Sequence, residues 1–340
     1  MKRTAVILRG PFHVGVDRED LPPPGPGEIA VQGRFSAISA GTELLFYRGR
    51  FPQELPLDAT LASLSGAASY PLRYGYAAVG RVDEVGPEVP GELLGRRVFC
   101  FQPHASRYCT QATEALAIPD DIDDRDALFL ANMETAVTLM LDGRPAIGET
   151  AAVLGQGVVG LLATALLSRH PLHRLITVDP IPRRRRASLD MGAHAALDLP
   201  QIDPSRSPPA PGIGTERADL VFELSSDPSA LDAAIGLTGF GGRIVLGSWY
   251  GTAPAVLNLG GRFHRSRIRL ISSQVSTLPA HALARWDRGR RQQTAWEMIR
   301  LTRPSRLISH EIPVERAAEA YELLDRRPGE ALQAVLSYDG

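Results

Sequence analysis

One stretch of the chain, AAVLGQGVVGLLATALLSRHPLHRLITVD at positions 151–179, constrains the fold more than any other. An apolar run from Ala151 to Leu154 is typical of a buried strand, and a glycine-rich turn joins it to an apolar helix from Val158 to Leu167. A second apolar strand, 175–178, ends at Asp179. Strand, helix and strand in this order predict a parallel sheet with crossover helices.

The turn in this stretch contains three glycines, Gly155, Gly157 and Gly160, in the spacing G-x-G-x-x-G. The first permits a tight turn, the second lets the backbone approach a pyrophosphate, and the third lets helix and strand pack closely. The phosphates then meet unpaired N–H groups at the helix N-terminus. Together these features predict a dinucleotide site. The residues expected to hold the pyrophosphate are Gly155, Gln156, Gly157, Val158, Val159 and Gly160.

The choice between NAD and NADP depends on charged residues after the second strand. Asp179, nineteen residues after Gly160, can accept hydrogen bonds from the adenosine ribose and repels a 2′-phosphate, which favours NAD. Four arginines follow at positions 183–186, and Arg184 is the candidate for contact with the cofactor there. Because of these arginines, NADP remains the alternative cofactor. At least two of the four are explained as solvent-exposed residues at the start of the next helix.

Composition limits the class of protein. The 340 residues are 44% hydrophobic and carry a formal net charge of −1, which suits two packed domains and shows no bias toward nucleic acid. We find no signal segment at the N-terminus and no run long enough for a membrane span. Two cysteines, Cys100 and Cys109, provide no disulfide framework. We therefore expect a cytoplasmic protein without a membrane or nucleic-acid partner.

The predicted pattern of secondary structure changes twice along the chain. The first part contains short β-type runs separated by Gly and Pro, which predict a small antiparallel barrel. Helices and strands alternate from Asp124, and the last part returns to pack on the barrel. We predict a barrel domain from 1–123 and 279–340, and a parallel-sheet domain from 124–278. A Pro/Ser-rich stretch at 200–214 is expected to form a surface loop.

Five further motifs carry a family resemblance. They are SAISAGTELLFYRG (36–49), YGYAAVGRVDEVG (74–86), GRRVFCFQPHASRY (95–108), GGRIVLGSWYG (241–251) and LISHEIPVERAAEAYELL (307–324). With the glycine turn, they resemble the medium-chain dehydrogenase/reductase superfamily, and within it the branch of hydroxyethyl bacteriochlorophyllide dehydrogenases, without carrying over the pigment substrate. The resemblance implies an α/β protein with a GroES-like β-barrel catalytic domain and a doubly wound Rossmann domain.

The chain departs from the zinc-dependent members of this superfamily at each catalytic ligand. Those enzymes use a Cys, a His and a third Cys or acid. The resemblance aligns Ala40 with the first ligand, Tyr76 with the His, and Ala131 or Asn132 with the third. Methyl groups and a phenol cannot replace a thiolate and an imidazole. We therefore expect no metal site here, and only hydrogen bonds to polarise a substrate carbonyl.

Five polar residues are candidates for the chemistry. The resemblance places Thr42 where a hydroxyl relays a proton, and Tyr76 where the zinc histidine would point; a turn cap and an aromatic filler are their structural alternatives. Glu43 is expected to orient its neighbours. His104 follows a strand and is a candidate pH-sensitive group facing the cleft. Glu134 is a candidate base, although a carboxylate on a helix surface is commoner.

The resemblance also assigns a nicotinamide side to the cofactor site. Thr135, Gly247 and Trp249 are its candidate residues, Trp249 as a wall of the cofactor site or part of the core. Four arginines near Trp286 are candidates to bind an anionic substrate group or to begin a solvated helix. They are Arg285, Arg288, Arg290 and Arg291.

These observations lead to one functional hypothesis and two alternatives. We expect a zinc-independent oxidoreductase that transfers a hydride between NAD(H) and a carbonyl or secondary alcohol of a small organic substrate. The alternatives are an NADPH-dependent quinone or enoyl reductase and a nucleotide-binding protein without turnover. By resemblance alone, we expect a homodimer that pairs through the strand at 269–275.

Overall fold

The computed structural model describes residues 1–58, 60–198 and 217–338, so the loop predicted at 200–214 lies outside the described residues. The chain divides into two compact units. Unit 1 comprises Met1–Ala131 and Ile299–Gly340, and unit 2 comprises Asn132–Met298. The structure places the two boundaries between the units at 131/132 and 298/299. Each boundary predicted from the sequence, at 123/124 and at 278/279, lies before the corresponding one.

The described residues form fifteen strands and eight α-helices. The strands are β1 Lys2–Gly10, β2 His13–Asp20, β3 Glu28–Ala37, β4 Ala78–Val85, β5 Arg97–Cys100, β6 Arg107–Gln111, β7 Leu116–Ala117, β8 Thr150–Leu154, β9 Arg174–Val178, β10 Ala195–Leu197, β11 Ala218–Glu223, β12 Thr238–Leu246, β13 Arg269–Ser272, β14 Ile308–Pro313 and β15 Gln333–Ser337. The helices are α1 Ala40–Tyr47, α2 Asp124–Ala127, α3 Leu130–Gly143, α4 Val158–Leu167, α5 Pro182–Asp190, α6 Ser229–Leu237, α7 Arg288–Thr302 and α8 Ala317–Arg326. None of these helices has the length and apolar character that crossing a bilayer requires.

Unit 1 is built on a mostly antiparallel sheet with the strand order β14-β15-β3-β4-β5-β7, and β6 also pairs with β3. The β1–β2 hairpin, whose second strand the sequence analysis did not predict, adds a separate two-stranded sheet. A core of aromatic and aliphatic side chains, among them Phe46, Tyr47 and Tyr321, packs α1 and α8 together. Since α1 begins three residues after β3 ends, the polar residues of its first turn occupy a fixed position at the end of the sheet.

Unit 2 contains a six-stranded parallel sheet with the order β10-β9-β8-β11-β12-β13. The order reverses direction on either side of β8, which is the doubly wound arrangement that binds nucleotides at the carboxyl ends of its central strands. All five residues of β8 are buried, as expected for a strand covered on both faces. The predicted α/β class, with a GroES-like barrel and a Rossmann sheet, is confirmed.

Phe222 in the central strand β11 provides a test of this core. Its side chain is fully buried, and truncation to Ala should lower the free energy of unfolding by about 3–5 kcal/mol because a large cavity remains. Phe240 of β12 is 76% exposed, and Phe240→Ala should cost less than about 0.5 kcal/mol. Urea unfolding of both variants measures the difference. Equal losses would contradict the described packing of the parallel sheet.

Candidate active site

The glycine turn follows β8 as predicted, and its three glycines have different surroundings. Gly155 has a φ of +87°, and a Cβ there would lie 2.5 Å from the backbone of Leu224. A Cβ on Gly160 would lie 2.0 Å from the carbonyl oxygen of Gly155. A Cβ on Gly157 would meet nothing within 4 Å, and no side chain caps α4 at this residue. Packing therefore requires the first and third glycines, whereas the second leaves open space beside the helix N-terminus.

Asp179 connects this turn to the end of β9. Its carboxylate is 2% exposed and accepts hydrogen bonds from the backbone N–H of Gln156 at 2.7 Å and of Ile181 at 2.9 Å. The guanidinium of Arg184 lies 3.9 Å from the same carboxylate, and its Nε is buried without a hydrogen-bond partner among the described residues. Arg185 instead donates to the backbone at Asp179 and pairs with Asp198. Asp179 thus shapes the turn as well as offering acceptor oxygens.

An acid that the sequence analysis missed lies at the carboxyl end of β11. Glu223 is fully buried and accepts hydrogen bonds from the Tyr250 hydroxyl at 2.6 Å and the Ser225 backbone N–H at 2.8 Å. Burial, followed by the Glu223 carboxylate, raises the pKa of Tyr250. Gly247 donates to the Glu223 carbonyl, and Trp249 is 37% exposed in the loop after β12. The signal in the sequence was a charged residue directly after the apolar run LVF of β11.

Glu134 is buried, contrary to the expectation of a carboxylate on a helix surface. It lies in α3 with Thr135, and Arg291 Nε donates to Glu134 Oε1 at 3.3 Å. Arg291 also bonds the Val275 carbonyl and is itself buried. Burial raises the pKa of Glu134 more than Arg291 lowers it. This pairing occupies Arg291, while Arg290 lies with its guanidinium 4.5 Å from the Trp286 ring centroid.

Three hydroxyl-bearing residues of unit 1, each partly exposed, form a cluster. The Tyr76 hydroxyl donates to Ser39 Oγ and lies 3.3 Å from Thr42 Oγ1. Burial raises the pKa of Tyr76, and the hydrogen bonds to Ser39 and Thr42 oppose that shift. Thr42 and Tyr76 were predicted site residues, and the structure places them together. Ser39 was missed because its contact with Tyr76 joins residues that are far apart in the sequence.

A second polar layer lies beneath this cluster and is fully buried. Glu43 Oε1 accepts the backbone N–H of Ser39 at 2.8 Å, and Oε2 accepts from His104 Nε2 at 2.9 Å and the Tyr321 hydroxyl at 2.5 Å. His104 Nδ1 lies 2.7 Å from Ser36 Oγ. Both oxygens of the Glu43 carboxylate therefore accept hydrogen bonds, as a buried carboxylate requires.

The position of His104 corrects one expectation. Its ring is 0% exposed and packs against Gly75, where a Cβ would lie 2.9 Å from Nε2. His104 therefore does not face a cleft and has no direct access to a substrate. Its Nε2 instead contacts the Glu43 carboxylate, and the role of Glu43 in orienting its neighbours stays a prediction.

The residues at the zinc-ligand positions do not fit a zinc ion. Ala40 and Tyr76 are both partly buried against the core of unit 1, and they offer only a methyl group and a phenol. Among the described residues, no group of three or more His, Cys, Asp or Glu side chains is arranged to hold a metal. The polar groups at this position are hydroxyls, which form hydrogen bonds.

Comparisons with known proteins agree with this geometry. No family model matches the chain. It is 28% identical over 359 aligned positions to the 2-desacetyl-2-hydroxyethyl bacteriochlorophyllide A dehydrogenase of Cereibacter sphaeroides, covering 99% of both chains. The fold is similar to an Escherichia coli CFT073 enzyme described as a short-chain alcohol dehydrogenase and solved with NADH, with a TM-score of 0.78, 19% identity and 99% coverage of both chains.

A second solved structure is the 2R,3R-butanediol dehydrogenase of Bacillus subtilis, with a TM-score of 0.79 and 16% identity, covering 99% of this chain and 100% of that one. The similarities extend over both units. Over its full length, the chain is therefore similar in sequence to a curated dehydrogenase, and it shares the fold of solved alcohol and butanediol dehydrogenases.

Proposed function

We propose that this NAD(P)-dependent oxidoreductase transfers a hydride between NAD(H) and a carbonyl or secondary alcohol of a small organic substrate, without zinc. The observation that carries the proposal is the contact between the hydroxyls of Tyr76 and Thr42, two partly exposed residues that the resemblance aligns with a metal ligand and a proton relay of zinc-dependent relatives. A hydroxyl both donates and accepts, so it can stabilise a carbonyl oxygen or receive an alcohol proton.

The cofactor would be held by unit 2. The open face of Gly157 and the uncapped start of α4 suit a pyrophosphate, and Asp179 suits the adenosine ribose. Thr135, Gly247 and Trp249 are proposed for the nicotinamide side. When bound, the nicotinamide accepts or supplies the hydride.

A second candidate function, an NADPH-dependent quinone or enoyl reductase, is favoured by one observation. Arg184 Nε is buried without a hydrogen-bond partner among the described residues, and a 2′-phosphate would satisfy it. Asp179 opposes this because its carboxylate lies beside Arg184 and repels a phosphate. A nucleotide-binding protein without turnover is the third possibility. NADH without zinc is our preferred combination.

We also propose that the protein is a cytoplasmic homodimer. Strand β13 ends the parallel sheet, and three of its four residues are exposed. An edge strand of this kind presents unpaired backbone groups that a second copy can satisfy.

The glycines of the turn make a paired prediction. Gly160→Ala should destabilise the protein, because its Cβ would overlap the Gly155 carbonyl at 2.0 Å. Gly157→Ala should leave stability unchanged, since its φ of −68° suits alanine, yet weaken NADH binding by about tenfold or more by blocking the pyrophosphate. Thermal unfolding and NADH fluorescence titration measure the two effects. Unchanged NADH affinity in Gly157→Ala would place the phosphates elsewhere.

Asp179 and Arg184, which lie beside the glycine turn, predict which nicotinamide cofactor the protein prefers. Wild-type protein should bind NADH more tightly than NADPH, and Asp179→Asn should reduce that preference by about tenfold, because the substitution removes a charge but keeps a carbonyl acceptor for the turn. Arg184→Ala is the matched variant and should weaken only NADPH. Fluorescence titration measures both, and metal analysis of the same samples should find no stoichiometric zinc. A wild-type preference for NADPH, or bound zinc, would refute the proposed combination.

Removal of the phenol hydroxyl tests the chemical step. Tyr76→Phe should lower kcat about 100-fold for the secondary alcohols and ketones that wild type turns over, because one positioned donor is lost. Affinity for NADH should be unchanged. Tyr70→Phe is the control, since that hydroxyl donates to the Phe46 carbonyl outside the cluster. The panel of secondary alcohols and ketones to be tested includes 2,3-butanediol and 3-hydroxy-2-butanone. Full activity of Tyr76→Phe would remove the phenol from the mechanism.

A further inference from the structure

We infer that Ser39 is the residue that exchanges the proton with the substrate oxygen, and that Tyr76 and Thr42 resupply it. The inference rests on the proposed function and adds a catalytic residue to it. It comes from one contact, in which the Tyr76 hydroxyl donates to Ser39 Oγ on the partly exposed surface of unit 1.

The Ser39 hydroxyl is not used by the helix that it begins. Ser39 is the N-cap of α1, a position where serine normally accepts a backbone N–H from the first turn, yet its side chain makes no capping bond. The Ser39 carbonyl instead accepts the backbone N–H groups of Thr42 at 3.1 Å and Glu43 at 2.7 Å. The Ser39 hydroxyl is therefore not engaged in capping the helix.

Glu43 holds Ser39 in place from below. Its carboxylate accepts the Ser39 backbone N–H at 2.8 Å while His104 and Tyr321 donate to its other oxygen. Since Glu43, His104 and Tyr321 are all buried, this support cannot exchange its partners for water. Glu43 is thus a positioning residue, and the Ser39 backbone has one defined location relative to Tyr76.

Tyr76 can donate to Ser39 Oγ or, at 3.3 Å, to Thr42 Oγ1, but a phenol has only one proton. In the relay, that proton lies in the bond to Ser39, and Thr42 in turn donates to Tyr76. The Ser39 hydroxyl is then left to donate outside the cluster. Thr42 donates to Tyr76, Tyr76 donates to Ser39, and Ser39 donates outward to a substrate oxygen.

The relay balances for carbonyl reduction. The carbonyl carbon receives a hydride from the dihydronicotinamide, which is oxidised, and the carbonyl oxygen receives the proton of Ser39. Ser39 regains a proton from Tyr76, Tyr76 from Thr42, and Thr42 from water. The C=O π bond breaks, one C–H and one O–H bond form, and one proton is taken from solvent. Alcohol oxidation runs the same transfers in reverse.

The test compares Ser39→Ala with Ser39→Thr, which restores a hydroxyl. With NADH and 3-hydroxy-2-butanone, or the ketone of the panel that wild type reduces fastest, Ser39→Ala should lower kcat about 100-fold. Ser39→Thr should recover at least about a tenth of wild-type kcat. The dissociation constant for NADH, measured by fluorescence without substrate, should stay within about twofold of wild type in both. Ser63→Ala is the control, because its hydroxyl bonds the Phe101 carbonyl away from the cluster.

Each outcome decides the inference. Ser39→Ala with more than half of wild-type kcat, while Tyr76→Phe is impaired, would overturn the role of Ser39 and leave the proposed function standing. Wild type that binds no nicotinamide or reduces no ketone would overturn both. If Ser39→Ala does not fold, Ser39→Cys preserves the side-chain size with a weaker donor, and undiminished kcat in that variant would equally refute the inference.

Discussion

The buried carboxylate of Glu43 is the interaction on which the arrangement of unit 1 depends. A buried charge is costly unless donors surround it, and Glu43 receives three, from the Ser39 backbone, His104 and Tyr321. These donors come from the connection after β3, from the segment before β6 and from α8. Because loss of any donor would leave the charge unsatisfied, the three segments hold one another in position. This arrangement also fixes the position of the Ser39 backbone beside Tyr76.

Asp179 has the corresponding role in unit 2. Its carboxylate joins the turn after β8 to the chain after β9 through the N–H groups of Gln156 and Ile181. A nucleotide site needs this turn to be shaped before the ligand arrives, since ordering it on binding would reduce affinity. Under the proposed function, the same carboxylate opposes a 2′-phosphate. One acid would then contribute to both the stability of the turn and the choice of cofactor.

The sequence predicted most of the secondary structure, because apolar periodicity and glycine spacing are local signals. Strand β2 was missed, since its residues HVGVDRED are largely polar and half-exposed. The site was predicted less completely. Thr42 and Tyr76 were identified, but Ser39, the burial of His104 and the pairing of Glu134 with Arg291 depend on contacts between distant parts of the chain. No local pattern records which side of a strand or helix will meet such a partner.

Hydroxyls stabilise a reacting oxygen in a different way from a metal ion. A zinc ion polarises an oxygen through its charge, whereas each hydroxyl stabilises a developing charge only along its own hydrogen-bond direction. Removal of one such donor in a preorganised site typically costs 10²–10³ in rate, so correct placement matters more than donor number. Under the proposed mechanism, catalysis therefore depends on how rigidly Ser39 and Tyr76 are held. In that mechanism, the rigidity would come from the buried polar contacts of Glu43 with His104 and Tyr321.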